Sequence, residues 1–367
     1  MERSSDHERQ LDASSSTFEK TKPENEQAHD SRARETMTFS HDDYTVAIIC
    51  ALPVEMAAAQ MMLDSIHPSL PIGESDHNSY VLGQIESHKV VIACLPAGVY
   101  GTTSATTVAN QLVSTFRRIR FGLMVGIGGG APSNDNDIRL GDVVVSRPTA
   151  TYGGVVQYDY GKTVVSGRFE RTGSLNKPPQ ILLAAVSRLQ AERLMYHSPL
   201  IDFSKFESKF RAFPFPGREQ DRLFRSDYVH TPRLGTCESC DTKFLSSRIP
   251  RATKDPVIHY GLIASGNHVI KDAKTRDKLS REYGILCFDM EAAGLMDFFP
   301  CLVIRGVCDY SDSHKNKQWQ PYAALTAAAY AKDLLLMVPG LHVEDSLLPT
   351  TTTSSNAGTL EKYDHVN

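Results

Sequence analysis

The chain has 367 residues, 41% of them hydrophobic and 22% charged, with a formal net charge of −4. That length can bury a core of enzyme size, and the slight acidic balance gives no global attraction to nucleic acid or to an anionic membrane. No run reaches the apolar length of a transmembrane helix, and the first residues lack the apolar stretch of a secretory signal. A cytoplasmic home is therefore expected, with a nuclear one left open and the cysteines reduced.

Residues 1–40 are rich in Ser, Glu, Lys, Arg and Gln and nearly free of large apolar side chains. Such a segment cannot bury enough surface to offset its ordering entropy and is expected to be a disordered tail. From 41 to 342, apolar β-branched runs alternate with helical patterns. Strands are expected at 44–50, 90–95, 122–127, 142–146, 257–264 and 302–308, and helices at 54–65, 102–117, 179–192, 271–282, 291–298 and 321–337. Several strands are apolar throughout, as when both faces of a sheet are covered. Pro179 and Pro321 suit the first turn of a helix. The order implies an α/β fold, a three-layer α/β/α sandwich around a mostly parallel or mixed central sheet. The stretch from about 194 to 255 breaks this rhythm and reads as an insertion packed over the sheet, either a lid or a surface elaboration. Residues 343–367 form a polar, Thr/Ser-rich tail that is expected to be flexible.

Seven cysteines are scattered along the chain. Cys50, Cys94, Cys301 and Cys308 lie in or beside apolar runs and read as small buried hydrophobes. Cys237 and Cys240 form a lone C-x-x-C with His230 nearby. No second such pair and no clear His pair completes a zinc set, so no metal is expected.

Two acids near the C-terminal end carry the most information. Glu291, in Asp289-Met290-Glu291-Ala292-Ala293, and Asp309, in Cys308-Asp309-Tyr310-Ser311-Asp312, each stand where an apolar run ends. A short turn and strand separate them, which can bring both carboxylates to the mouth of a parallel sheet, where α/β enzymes bind small molecules. Glu55 follows the first strand and falls in the first helical turn, a position the helix dipole favours for any carboxylate. The glycines at 126 and 128–130 let backbone approach a ligand closely, as a tight turn or as a sugar-contacting loop. They match a dinucleotide fingerprint poorly, because no helix clearly follows. Asn267 and Val269 end the next strand, where one could hydrogen-bond a heterocycle and the other pack on its face. His268 reads as structural and Trp319 as a packing anchor. All these positions fall at strand ends on one side of the sheet, where ligands collect.

In order and spacing, Ala-Ile-Ile-Cys-Ala-Leu-Pro-Val-Glu (47–55), Val-Gly-Ile-Gly-Gly-Gly (125–130), Leu-Gly-Asp-Val-Val-Val-Ser (140–146), Ser-Gly-Asn (265–267), Asp-Met-Glu-Ala-Ala (289–293) and Cys-Asp-Tyr-Ser-Asp (308–312) form a recognisable set. The set resembles the nucleoside phosphorylase superfamily, nearest the branch containing methylthioadenosine/S-adenosylhomocysteine nucleosidase. The likeness covers roughly 44–340 apart from the insertion. The stretch 303–330 looks like the fungal form of the domain, often fused ahead of nucleotide-binding and repeat domains.

The resemblance implies a role for each residue. Glu55 handles the attacking water, Met290, Glu291 and Gly128 hold the ribosyl group, and Asp309 meets the purine at N7. Asn267 and Val269 line the base pocket, with Val269 replacing a usual aromatic. Departures bear on the reaction. Similar phosphorylases hold phosphate with Gly-Asp-Pro-x-Arg after the first strand and with an Arg and a Ser around the glycines. Here Glu55 stands at the first place and Met124 and Ile127 at the second; Ile127 also lacks a hydroxyl that the nucleosidases keep. A carboxylate where phosphate must sit is adverse by roughly 1 to 4 kcal/mol at short range, yet suited to deprotonating water.

The expected function is a purine ribonucleoside N-glycosidase releasing base and ribose, with a small-molecule purine nucleoside as partner and no cofactor. Phosphate would be a co-substrate only in the alternative, a phosphorylase with cations supplied by Arg222 and Arg225 or by a neighbouring subunit. A third reading is a nucleoside-binding sensor without turnover. No nucleic-acid or membrane partner is expected, and a homo-oligomer is left open.

Overall fold

The computed structural model describes residues 39–196, 211–230, 237–253 and 255–340. Both expected tails, apart from Phe39 and Ser40, lie outside the described residues, as do 197–210 and 231–236 of the insertion.

Strand β1 (Val46–Cys50) is buried at every position and turns tightly into α1 (Pro53–Met61), whose Pro53 lacks only an N–H that the first turn leaves unused. An antiparallel run follows, formed by β2 (Ser65–His67), β3 (Tyr80–Ile85) and β4 (His88–Cys94). Helix α2 (Thr102–Thr115) then leads to the long β5 (Phe121–Gly130). After it come β6 (Val143–Ser146), β7 (Val155–Gln157), a small hairpin of β8 (Gly161–Thr163) and β9 (Phe169–Arg171), and α3 (Gln180–Tyr196). The chain closes with β10 (Ile258–Ser265), α4 (Ala273–Tyr283), β11 (Ile285–Asp289), β12 (Cys301–Asp309) and α5 (Gln320–Met337).

One mixed sheet of ten strands has the order β11-β10-β6-β12-β5-β1-β4-β3-β2, with β7 beside β10. β1 runs parallel to both β4 and β5, and β5 runs parallel to β12. Alternation along each strand sends side chains to two separate cores. Leu302 and Ile304 pack with Ala58 of α1, Leu182 of α3 and Tyr330 of α5. Val303 between them faces the other way, toward Val108 of α2 and Phe299. The three-layer arrangement inferred from the apolar runs is the one observed.

The sheet also bends back on itself. The last glycines of β5 pair antiparallel with β11, so β5, β12, β6, β10 and β11 form a closed ring. Gly129 is the register partner of both Phe288 in β11 and Asp309 in β12. The glycine cluster is thus strand rather than turn, and its lack of side chains permits the closure. A Cβ on Gly128 would lie 2.5 Å from Cys287 Sγ, and one on Gly129 would lie 2.0 Å from Ser311 Oγ.

The helix expected at 291–298 is reduced to a 3-10 turn, Ala292–Gly294. Its backbone is pressed against α2: a Cβ on Gly294 would meet Thr102 O at 2.1 Å, and Thr106 Oγ1 donates to Gly294 O. Trp319 is buried at the start of α5, its indole N–H donating to Gln220 O, which makes it a packing anchor. No described helix is long and apolar enough to cross a membrane.

Where β12 meets α5, a Cβ on Gly306 would lie 1.8 Å from Ala323 O. Gly306→Ala should therefore cost about 1–3 kcal/mol through overpacking. Equilibrium denaturation checks this, and a variant as stable as the parent would contradict the contact.

Candidate active site

Within the apolar run of β12 stands one charge, Arg305, with 0% of its surface exposed. Its Nε and Nη2 donate to Asp289 Oδ2 at 2.9 and 2.6 Å, and Nη2 lies 3.5 Å from Glu291 Oε2. Glu55 approaches over Gly126, where an added Cβ would be 2.4 Å from Arg305 Nη1 and 2.6 Å from Glu55 Oε1. Burial works against the guanidinium charge, but Asp289, Glu291 and Glu55 outweigh it and raise its pKa. Arg305 Nη1 has no hydrogen-bond partner among the described residues.

Glu55 is held by backbone. Its Oε2 accepts from the amides of Ala51 and Leu52 at 2.7 and 2.9 Å, and its Oε1 from Ile127 at 2.8 Å. The turn between β1 and α1 and the bend of β5 supply these donors. Burial nevertheless pushes the Glu55 carboxyl up, against the pull of Arg305 and of the three amides. Burial likewise pushes Glu291 up to about 7; Arg305 opposes the rise, while Asp289 and Glu55 add to it. Two carboxyls that repel one another are thus held away from the usual acidic range.

Asp309 ends β12 beside Gly129. Its Oδ1 accepts from the Ser311 amide at 2.9 Å, and its Oδ2 takes Lys315 Nζ at 2.9 Å. Burial disfavours the Lys315 ammonium, but Asp309 outweighs that and raises its pKa.

A cleft of about 360 Å³ opens here, with Glu55, Gly128, Val269, Met290, Glu291 and Lys315 in its walls. Asp309 lines an adjoining cavity of about 310 Å³ and connects to the cleft through its ion pair with Lys315. Six of the seven residues expected from sequence are therefore at or beside one cleft. Asn267 is exposed and off its wall, with Oδ1 accepting from the Thr102 amide at 3.0 Å and from its hydroxyl at 3.2 Å. Arg222 donates to Cys237 O beside the adjoining cavity, and Arg225 is paired with Asp227 at the surface, so neither stands in the cleft wall.

Sequence reading missed Arg305, Asp289 and Lys315. Arg305 left a signal, since a lone charge inside an apolar strand must find buried counter-charges. It also missed that His314 joins His230, Cys237 and Cys240 in a group able to hold a metal.

No protein-family model matches the chain. It is 47% identical over 304 residues to a nucleotide-binding leucine-rich repeat (NLR)-like protein of Hyaloscypha variabilis, a match covering 82% of this chain and 30% of that one. A 5′-methylthioadenosine/S-adenosylhomocysteine nucleosidase of Mycobacterium bovis is 24% identical over 309 residues, covering 81% of this chain and 98% of that one. The solved structure of futalosine hydrolase from Helicobacter pylori matches with a TM-score of 0.53 at 16% identity, over 81% of this chain and 99% of that one. The mixed α/β fold is the one that these nucleosidase and hydrolase structures share. In sequence the chain is similar to nucleosidases of the 5′-methylthioadenosine/S-adenosylhomocysteine type, at 24% identity.

Removing the central cation should leave buried carboxylates without compensation. Arg305→Met is expected to lose about 3–5 kcal/mol of stability. Arg305 opposes the rise of the Glu55 and Glu291 carboxyls, so without it both rise further and the loss should be larger at pH 8 than at pH 5. Urea unfolding at both pH values checks this; a small loss equal at the two would contradict the arrangement.

Proposed function

We propose that this chain is an N-ribosyl hydrolase acting on purine ribonucleosides, with water as acceptor and free base and ribose as products. The observation that carries the reading is the imbalance around Arg305, where one guanidinium faces Asp289, Glu291 and Glu55. Such a floor repels a phosphate dianion and accommodates neutral water. The nucleosidase relatives support the same acceptor.

Glu55, fixed by three amides, is placed to orient water and take its proton, and its raised pKa makes it a better base. Glu291 accepts hydrogen bonds from the ribose hydroxyls, with Met290 and Gly128 beside the sugar. As the C1′–N9 bond stretches, positive charge grows on the sugar and negative charge on the base. The Asp309–Lys315 ion pair answers the latter: a proton passes from the Lys315 ammonium through Asp309 to N7. Water gives a proton to Glu55 and its oxygen to C1′; the base leaves with the proton from the Asp309 side. Exchange with solvent restores both groups. Val269 and Tyr100, 46% and 54% exposed in the cleft wall, offer apolar surface to the base. Asn267 would reach a base only by releasing Thr102.

A second reading, nucleoside sensing without turnover, is supported by the NLR-like relative, of which this chain spans 30%. Tight purine binding with no base release would establish it.

Adenosine, inosine, guanosine and methylthioadenosine, incubated separately with the chain, test the proposal by base release. Glu55→Gln should lower kcat by about 10²–10⁴-fold, and Asp309→Asn should abolish turnover. Since Glu291 is pushed up to about 7 and works ionised, kcat/KM should rise with pH through that region, and Glu291→Gln should lose the limb. The sign for stability is opposite: the contribution of this raised carboxyl is full below its unfolded value and is lost as pH rises through about 7. Unchanged turnover in Asp309→Asn would remove its leaving-group role.

A further inference from the structure

Behind the Asp309 loop, side chains from the insertion and from the segment after β12 converge. His230, Cys237, Cys240 and His314 place one ligand atom each within 4.8 Å of one another. His230 Nδ1 is 3.2 Å from Cys240 Sγ, and His314 Nδ1 is 3.6 Å from Cys237 Sγ and 3.7 Å from Cys240 Sγ. A tetrahedral zinc ion with Zn–S of about 2.3 Å and Zn–N of about 2.0–2.1 Å sets nitrogen and sulfur ligands about 3.6 Å apart. The observed separations scatter around that value.

The surroundings fit as well. His314 Nε2 lies 3.3 Å from Tyr228 O, so the ring donates there and presents Nδ1 to the sulfurs, as outer partners of metal-bound histidines do. The Cys240 amide donates to Cys237 O at 3.2 Å, the tight turn that lets both sulfurs face one point. Phe224 stacks on His314 with ring centroids 4.0 Å apart, and Cys240 and His314 are buried.

We propose that these four residues bind a structural zinc ion, Cys237 and Cys240 as thiolates that give up their protons on binding. Four protein ligands leave no open position for water, which makes the site structural rather than catalytic. Its place gives it a task. His314 precedes Lys315, the partner of Asp309, and the His230 amide donates to Ser313 Oγ at 2.9 Å. Zinc therefore fastens the insertion to the loop carrying the base-side ion pair. The C-x-x-C lacked a partner in the linear sequence because His314 stands 74 residues beyond Cys240.

The test uses the full chain purified from zinc-supplemented medium without chelator. Elemental analysis should find close to one zinc per chain, lost in Cys240→Ser and in His314→Asn. Because losing a ligand can itself unfold the region, the wild-type chain is also stripped and reloaded with Co²⁺. Intense visible bands of tetrahedral cobalt with thiolate charge transfer should appear, and zinc should raise the Tm of the stripped chain but not of Cys240→Ser. A chain without zinc, a weak octahedral cobalt spectrum and a Tm indifferent to zinc would overturn the proposal. So would a Cys237–Cys240 disulfide found by mass spectrometry in the chain as isolated.

Discussion

A guanidinium sealed from water, with acids on several sides, is the constraint on which this site depends. Arg305 could not be buried in β12 without Asp289, Glu291 and Glu55, and those carboxyls could not stand together without it. The arrangement is one of mutual need rather than surplus stability. Its by-product is chemical: burial pushes Glu55 and Glu291 up from the usual carboxylate range, with repulsion adding at Glu291, which reaches about 7, where a carboxyl can exchange protons at neutral pH.

Backbone closure brings the pieces together. β5 could not meet β11 and β12 at once if residues 128–130 carried side chains, since Cys287, Ser311, Asp309 and Val307 occupy that space. The same closure sets Asp309 beside Gly129 and Glu291 just past β11, while the amide of Ile127 reaches Glu55. Architecture and site are therefore one problem: a bulky residue at Gly129 would displace the strand ends and the acids they carry.

Much of this was legible in the chain. Strands apolar along their whole length announced a sheet covered on both faces, and the strand ends located Glu55, Glu291 and Asp309. Local pattern fails where distant contacts decide. The segment after Glu291 has the composition of a helix, yet contact with α2 at Gly294 permits only one turn. β11 is five residues long and pairs with the far end of β5, a contact no periodicity encodes. Asn267 looked like a base ligand from its position after β10, but the start of α2 lies close enough for Thr102 to take its oxygen. Lys315 and His314 lie in a polar stretch whose meaning comes only from Asp309 and from the insertion folded beside it.

The central claim is that this acid-rich floor admits water and refuses phosphate. Base release from a purine ribonucleoside in 18O-labelled water, followed by mass spectrometry of the sugar with and without added phosphate, tests it most directly. The account predicts label in the ribose and a rate indifferent to phosphate. Unlabelled ribose 1-phosphate, formed only when phosphate is present, would contradict it.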